Sequence, residues 1–331
     1  MKKRDKRHDV SNGVDVTRYE SVRDEVLSLF SHLYPGYDNE PLSEALKQSF
    51  ADFDRLFRGH FPDFHFCDTP YHDIQHTLDM SLAMARLIYG HDRNAKPSEQ
   101  LGAYRATVGV ISALFHDSGY IRHHSDKQYR NGAECTKIHV SRSANFLAKY
   151  LPTIGLEDAV FTTNKIVHFT GYEVSVDRLQ LEDKRFQLIG YMLGSADLMA
   201  QMSDRCYLEK CRDRLYPEFV LGGIDRIDRA DGSVHRIYTS PTNLLTQTPD
   251  FYQKSVFPRL EHIFEGVYAY ALDYFGTKNY YMDEIELNIE YLQKVLRAND
   301  FSLLRREPLP NLATTKAAES FQSVLEEKLS D

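Results

Sequence analysis

Apolar residues recur at helical spacing along almost the whole chain of 331 residues, and this periodicity constrains the fold more than any other feature. Spacings of three and four residues put apolar side chains on one face of a helix, which must then be buried against other helices. We therefore predict an all-α protein. The predicted helices are residues 22–33, 42–57, 74–89, 101–116, 133–150, 157–169, 184–216, 251–275 and 282–297.

The segment 222–240 departs from the helical pattern. Its Asp231-Gly232 pair lies between Ile227 and the apolar run 234–238. Asp-Gly favours the tight turn of a β-hairpin. We predict a small hairpin or an ordered loop over the helical body.

The length fits one large domain or two ordinary ones, and the pattern shows no internal repeat. We predict a single helical domain at residues 19–304, preceded by a flexible basic tail at 1–18. A proline-containing run, 307–315, begins the C-terminal tail predicted at 305–331. That tail contains one weak amphipathic helix at 317–329, which either docks or frays.

Charge and hydropathy exclude several classes of partner. The chain has 40 Lys and Arg against 48 Asp and Glu, a formal net charge of -8. A surface of this charge repels nucleic-acid backbones, so polymeric nucleic acid is not an expected partner. Mean hydropathy is -0.47, and no stretch reaches the roughly 18 uninterrupted apolar residues of a spanning helix. We expect a cytoplasmic protein with no membrane partner, compatible with an oligomer.

Cysteine usage agrees with a reducing compartment. The four cysteines form no Cys-x-x-Cys pair and are too few to build a disulfide framework in a chain of this length. The basic run 1–7 lacks the apolar core of a secretory signal. We predict four reduced, packed thiols.

Histidine is abundant, with 14 residues, and its positions suggest a site. Four His-Asp dipeptides occur: His8-Asp9, His72-Asp73, His91-Asp92 and His116-Asp117. The first and third are predicted to be exposed to solvent. The fourth ends the apolar run 108–115, where a buried imidazole and carboxylate would be costly unless they are paired or bound to a cation. Metal ligation is the economical explanation.

Two further elements add candidates. His72 and His76 are four residues apart at the start of a predicted helix, so both can face one way. Asp197 lies in the middle of an otherwise apolar helix, where it must make polar contacts or bind metal. Taken alone, each is more often structural than functional. Their order, with His116-Asp117 between them, carries more information.

The order His76, His116-Asp117, Asp197 resembles the HD superfamily of metal-dependent phosphohydrolases. The segment 71–79, Tyr-His-Asp-Ile-Gln-His-Thr-Leu-Asp, resembles the Tyr-His-Asn-x-x-His-Ala-x-Asp motif of class I cyclic nucleotide phosphodiesterases. Further matching segments are Phe115-His116-Asp117, Ala196-Asp197-Leu198, Pro217-Glu218-Phe219 and the pair Phe251 and Pro258. The resemblance covers residues 71–265.

This resemblance implies a helical HD bundle with a metal-binding core at about residues 71–200. It implies that His76, His116, Asp117 and Asp197 hold a divalent metal, and that His72, oriented by a carboxylate, donates a proton. It also implies substrate contacts for Phe251, and for Gln247 one place from the usual base-reading glutamine. The usual place of that glutamine is occupied by Thr248. Two other family positions differ: a histidine is replaced by Tyr120 and an asparagine by Ala200.

His139 and His168 lie in helical, partly apolar runs. Individually, each is better explained as a structural histidine. Many bacterial HD proteins, however, bind a second metal with two histidines placed between the His-Asp pair and the last Asp. The order of this chain resembles that six-ligand pattern.

Mixed imidazole and carboxylate ligands suit Mn, Fe, Co, Ni or Zn, and a second position that shares Asp117 suits Mg or Mn. Two metals would lower the pKa of a bridging water, and the hydroxide would attack phosphorus. We therefore expect a phosphohydrolase, most simply a phosphodiesterase acting on a nucleotide or small phosphate ester. A di-iron oxygenase and a non-catalytic nucleotide-binding module are the alternatives.

Overall fold

A computed structural model describes residues 4–229, 231–310 and 315–330, and it confirms the all-α class. The first helices are α1 (Tyr19–Leu33), α2 (Pro41–Phe57), α3 (Ile74–Asn94), α4 (Gly102–Phe115), α5 (His139–Tyr150) and α6 (Val160–Ile166). The remainder are α7 (Lys184–Ser203), α8 (Tyr207–Lys210), α9 (Tyr216–Gly222), α10 (Pro241–Phe251), α11 (Tyr270–Phe275), α12 (Tyr280–Ala298) and α13 (Thr315–Ser330). Among the described residues, no helix is long and apolar enough to cross a membrane.

Helices α3 and α7 form the centre of the bundle and pack against each other. Helix α3 also contacts α1, α4 and α11, and α7 contacts α4 and α12. Their apolar side chains belong to one cluster of buried residues that extends from Val10 to Leu304. Asp73 caps α3 by accepting a hydrogen bond from the backbone N–H of His76, at 3.0 Å. The cap fixes where α3 begins, and thus the direction of its first turn.

The predicted hairpin is present. Strands β1 (Arg226–Asp228) and β2 (Val234–Arg236) pair antiparallel, with Ile227 opposite His235. The guanidinium of Arg236 also contacts the buried carboxylate of Asp225 at 2.9 Å, which anchors the hairpin to the helical body.

Three of the predicted helices are interrupted. The helix predicted at 133–150 is divided into a turn of 3-10 helix at Gly132–Cys135 and α5, which begins at His139. The helix predicted at 184–216 ends at Ser203, because the carboxylate of Asp204 accepts hydrogen bonds from the Cys206 N–H and the Lys210 ammonium, both at 2.6 Å, and turns the chain. The helix predicted at 251–275 instead starts at Pro241, where Ser240 caps α10. Single turns of π-helix follow at Tyr252–Val256 and Arg259–Ile263, so the chain is not regular again until α11.

The prediction of a flexible tail at residues 1–18 is wrong for its described part, 4–18. Val10 and Val16 are buried in the core. The carboxylate of Asp9 lies 2.7 Å from the guanidinium of Arg86, and both side chains are fully buried. Arg86 needs a counter-charge because a buried cation is costly alone, and the N-terminal segment supplies it. Residues 1–3 lie outside the described residues.

The predicted exposure of His91-Asp92 is also wrong. Asp92 is fully buried, and its carboxylate accepts hydrogen bonds from the Tyr34 hydroxyl and the N–H groups of Leu101 and Gly102. A carboxylate at that place therefore caps the chain entering α4.

The C-terminal helix docks on the body. Phe321 and Val324 of α13 pack against Ala133 and Leu221. Four packed thiols were predicted, and the structure confirms them: Cys67, Cys135, Cys206 and Cys211 are buried and free.

Candidate functional site

Four predicted ligands, His76, His116, Asp117 and Asp197, meet at the centre of the bundle. His76 is in the first turn of α3, the His-Asp pair follows α4, and Asp197 lies midway along α7. The Nε2 atom of His76 is 3.5 Å from Oδ2 of Asp117 and 3.3 Å from Oδ1 of Asp197. His116 Nε2 lies 3.1 Å and 3.7 Å from the same two atoms. Imidazole nitrogens and carboxylate oxygens thus converge on one small volume.

The chemistry of this cluster fits a divalent cation. Nδ1 of His116 donates to the Ala113 carbonyl at 2.8 Å, which turns Nε2 toward the carboxylates. His116 Nε2 and Asp117 Oδ2 are buried and have no hydrogen-bond partner among the described residues, a costly state that a metal ion would relieve. One ligand atom from each of His76, His116 and Asp197 lies within 4.8 Å of the others.

The electrostatics of the cluster point the same way. Burial favours the neutral form of His116, but the carboxylates of Asp117 and Asp197 outweigh it and raise the pKa of His116 to about 9. Burial also opposes ionisation of Asp117, yet the imidazoles of His116 and His72 hold the pKa of that carboxyl well below its usual range. The negative charge that holds a proton on His116 would attract a metal cation equally.

His72 lies beside the cluster and is held by a buried carboxylate. Its Nδ1 is 2.5 Å from Oε2 of Glu218, on α9, and Glu218 also accepts a hydrogen bond from the Tyr71 N–H. Burial lowers the pKa of His72, but the charges of Glu218 and Asp117 more than compensate and raise it to about 9. Glu218 is the carboxylate that the family resemblance implied without identifying it. Its only signal in the sequence is the segment Pro217-Glu218-Phe219.

His139 reaches the edge of the cluster. Its Nδ1 donates to the Thr136 carbonyl at 2.6 Å, and its Nε2 faces Oδ1 of Asp117 at 3.8 Å. The carboxylate of Glu173 accepts hydrogen bonds from the backbone N–H groups of Val140 and Ser141 and so caps the start of α5. His139 is therefore oriented as a ligand would be, on the outer side of Asp117.

The turn that carries Asp117 is pressed against α5. The N–H of Gly119 donates to the Ser143 hydroxyl at 2.8 Å, and its carbonyl accepts from Nε of Arg142 at 2.7 Å. A Cβ atom at Gly119 would lie 1.8 Å from the His139 carbonyl oxygen. Only glycine permits this contact.

His168 is not joined to the cluster by any hydrogen bond or ion pair in the described part of the chain. It lies in the short turn after α6, and its Nδ1 is buried without a hydrogen-bond partner. Burial lowers its pKa. Its role as a second-metal ligand stays a prediction.

A cavity of about 480 Å³ opens beside the cluster, and the predicted substrate residues Phe251 and Gln247 line it. Most of its wall is apolar, formed by the side chains of Tyr172, Leu198, Met202, Leu215, Phe219, Ile224, Tyr238, Leu244 and Phe251. The Gln247 amide donates to the Ile237 carbonyl at 2.9 Å, so it holds the end of the hairpin. Thr248 donates to the Leu244 carbonyl.

Sequence reasoning missed the wall contributed by the ends of the hairpin segment. Phe219 and Tyr238 stack there with their ring centroids 5.7 Å apart. The sequence feature that could have predicted this part of the cavity wall is the presence of aromatic residues on both sides of the hairpin.

Comparison of the chain with models of protein families, with curated proteins and with solved structures finds no match. The likeness to the HD superfamily thus rests on the motifs alone and stays a prediction. The functional argument depends on the geometry of the site.

Proposed function

We propose that the protein is a metal-dependent phosphohydrolase, acting as a phosphodiesterase on a nucleotide or another small phosphate ester. One observation carries the proposal. A histidine held by a buried carboxylate, His72 with Glu218, faces the same cavity as a buried imidazole and carboxylate cluster. Ester hydrolysis needs both, because a nucleophile must be activated and a leaving oxygen must be protonated.

The metal would be held by His76, His116, Asp117 and Asp197, with His139 beside a second position. When bound, a divalent metal activates water and neutralises charge on the phosphoryl oxygens. His72 holds a proton. It lies next to the cluster, with its ring centroid 6.0 Å from that of His76. Glu218 occupies Nδ1 of His72, so the other ring nitrogen donates the proton to the leaving oxygen.

The cavity suits the organic part of such an ester. Its apolar and aromatic wall can bury a flat group, and burial of this kind favours binding by about 25 cal/mol for each Å² removed from water. Lys137 is exposed at the cavity wall and has no ion pair among the described residues. Its ammonium supplies positive charge for a phosphate oxygen.

Two observations favour hydrolysis over the rival functions. A di-iron oxygenase has no leaving alkoxide, so the His72–Glu218 pair would have no proton to deliver. The six-ligand set of such oxygenases also needs His168, for which no hydrogen bond or ion pair with the cluster is found in the described residues. A non-catalytic binding module would gain nothing from the buried pair of His72 and Glu218.

Metal removal and reconstitution test the proposal. The protein is stripped with a chelator, reloaded with Mn, Mg, Fe, Co, Ni or Zn, and assayed on a panel of nucleotides and phosphate esters. We expect hydrolysis that requires metal, is lost in Asp197→Asn and persists in the control Asp177→Asn, since Asp177 is exposed and does not line the cavity. Less than one metal per chain, with no ester hydrolysed, would contradict the proposal. A mixed-valence di-iron spectrum with substrate oxidation would favour the oxygenase.

A further inference from the structure

Tyr120 contacts two functional histidines at once. Its ring centroid lies 4.4 Å from that of His72, with an angle of 17° between the planes, and 4.4 Å from that of His139, at 21°. The two imidazoles are 6.3 Å apart. One phenol ring is thus the stacking partner of the proposed acid and of the histidine at the outer side of Asp117.

Tyr120 itself is firmly fixed. Its side chain is 2% exposed. Its backbone N–H donates to the Asp117 carbonyl at 3.1 Å, within the turn that Gly119 presses against α5. The backbone of Tyr120 is thus part of the turn that carries Asp117.

Each histidine is also held by a hydrogen bond at one ring nitrogen. Nδ1 of His72 is bonded to Glu218, and Nδ1 of His139 to the Thr136 carbonyl. A single hydrogen bond fixes one atom of an imidazole but lets the ring tilt about that bond. Offset stacking on an aromatic ring removes this freedom, because the plane of the imidazole must follow the plane of its partner. Together, the hydrogen bond and the stack determine where the second nitrogen points.

We propose that Tyr120 is a positioning residue that aims His72 at the leaving oxygen and His139 at the outer side of Asp117. The inference rests on the proposed function and deepens it. It assigns a role to a position where the family that this chain resembles has a histidine instead. The aromatic ring carries the role, and the hydroxyl is not needed for it.

Two substitutions distinguish the effect of the aromatic ring from that of the hydroxyl and of side-chain size. Tyr120→Phe keeps the stacking ring and removes the hydroxyl, whereas Tyr120→Leu keeps an apolar side chain and removes the ring. With metal-loaded protein, we expect Tyr120→Leu to lose about tenfold or more in rate on a nucleotide ester, because small misplacements of catalytic groups are expensive. On a nitrophenyl phosphodiester, whose leaving group needs no proton, we expect a loss below about threefold. Tyr120→Phe retains most of the rate on both esters.

A double-mutant cycle shows whether Tyr120 acts through His72. In a His72→Ala background, Tyr120→Leu should cause a further loss below about threefold on the nucleotide ester, because the proton donor is absent and only the placement of His139 is still affected. An additional tenfold loss in that background would overturn the inference. So would equal losses of Tyr120→Leu and Tyr120→Phe on the two esters.

A measurement that does not depend on catalytic activity keeps the test independent of the proposed function. In metal-free protein, the ring protons of His72 and His139 should shift in NMR spectra of Tyr120→Leu, because the ring current of Tyr120 is gone, whereas those of the distant His91 should not. Tyr120→Phe should preserve both shifts. Unchanged signals of His72 and His139 in Tyr120→Leu would refute the stack even if no ester is hydrolysed. If Tyr120→Leu does not fold by circular dichroism, Tyr120→Met provides the same comparison.

Discussion

The carboxyl group of Asp79, buried in α3, is expected to make the protein less stable as the pH rises. Its Oδ1 atom is buried and has no hydrogen-bond partner among the described residues. Burial and the negative charges of Asp9 and Asp204 raise its pKa to about 7, although Arg4 opposes them. Replacement by asparagine, which has nearly the same shape and no charge, should remove this pH dependence.

The magnitude follows from the two pKa values of Asp79. In the unfolded chain the carboxyl group titrates near its usual value of 3.8, and in the folded protein near 7. The difference of about 3 units corresponds to about 4 kcal/mol. Since the folded pKa is the higher one, this stability is fully present below pH 3.8, is lost as the pH rises to about 7, and stays lost above that.

Guanidinium denaturation, followed by far-ultraviolet circular dichroism at several pH values from about 5 to 8, measures the effect. The free energy of unfolding of Asp79→Asn, relative to that of the wild type, should increase by about 2 kcal/mol between pH 5 and pH 7. The control Asp177→Asn, at an exposed carboxyl group, should show no such trend. If Asp79→Asn and the control follow the wild type in parallel, Asp79 is not the buried acid that its environment implies.

The candidate site gives four further predictions. Asp117→Ala should lose bound metal and hydrolysis but keep its circular dichroism spectrum, and full metal occupancy would contradict the assigned ligand. If two metals bind, His139→Ala should reduce the metal content from about two to about one per chain, and the same measurement on His168→Ala decides whether that residue is a ligand. His72→Ala should keep its metal and lose roughly 10²- to 10⁴-fold in rate on a nucleotide ester, but much less on a nitrophenyl ester; equal losses would argue against proton donation. Glu218→Gln should show the same dependence on the leaving group, with a smaller loss of rate, because the imidazole of His72 is still present but no longer has the carboxylate that orients it.

Local patterns were sufficient to predict the helical class and to single out His76, the His116-Asp117 pair and Asp197 as candidate site residues. The Asp73 cap and the helical spacing place His76 on the inner face of α3, and the apolar run before His116 brings the His-Asp pair to the centre. Such signals lie within one turn of the residues that they position. The convergence of His76 and Asp197 was predictable only because their order resembles a family.

Contacts between distant segments were not predictable in the same way. Glu218 pairs with His72 across 146 positions of the chain, and no periodicity encodes that distance. Asp9 lies in a segment that resembles a charged tail, and nothing in the sequence pattern pairs it with Arg86. A charge pattern shows which residues are ionised, but burial and pairing depend on the tertiary fold.

Gly119 touches neither the cluster nor the cavity, yet it sets the spacing between two parts of the site. The missing side chain lets the turn after Asp117 lie against the carbonyl of His139. Any side chain there would act as a wedge and widen the gap between Asp117 and the imidazole of His139, which is 3.8 Å in this structure. If the proposed second metal is held between Asp117 and His139, its binding is therefore sensitive to a residue without a donor atom of its own.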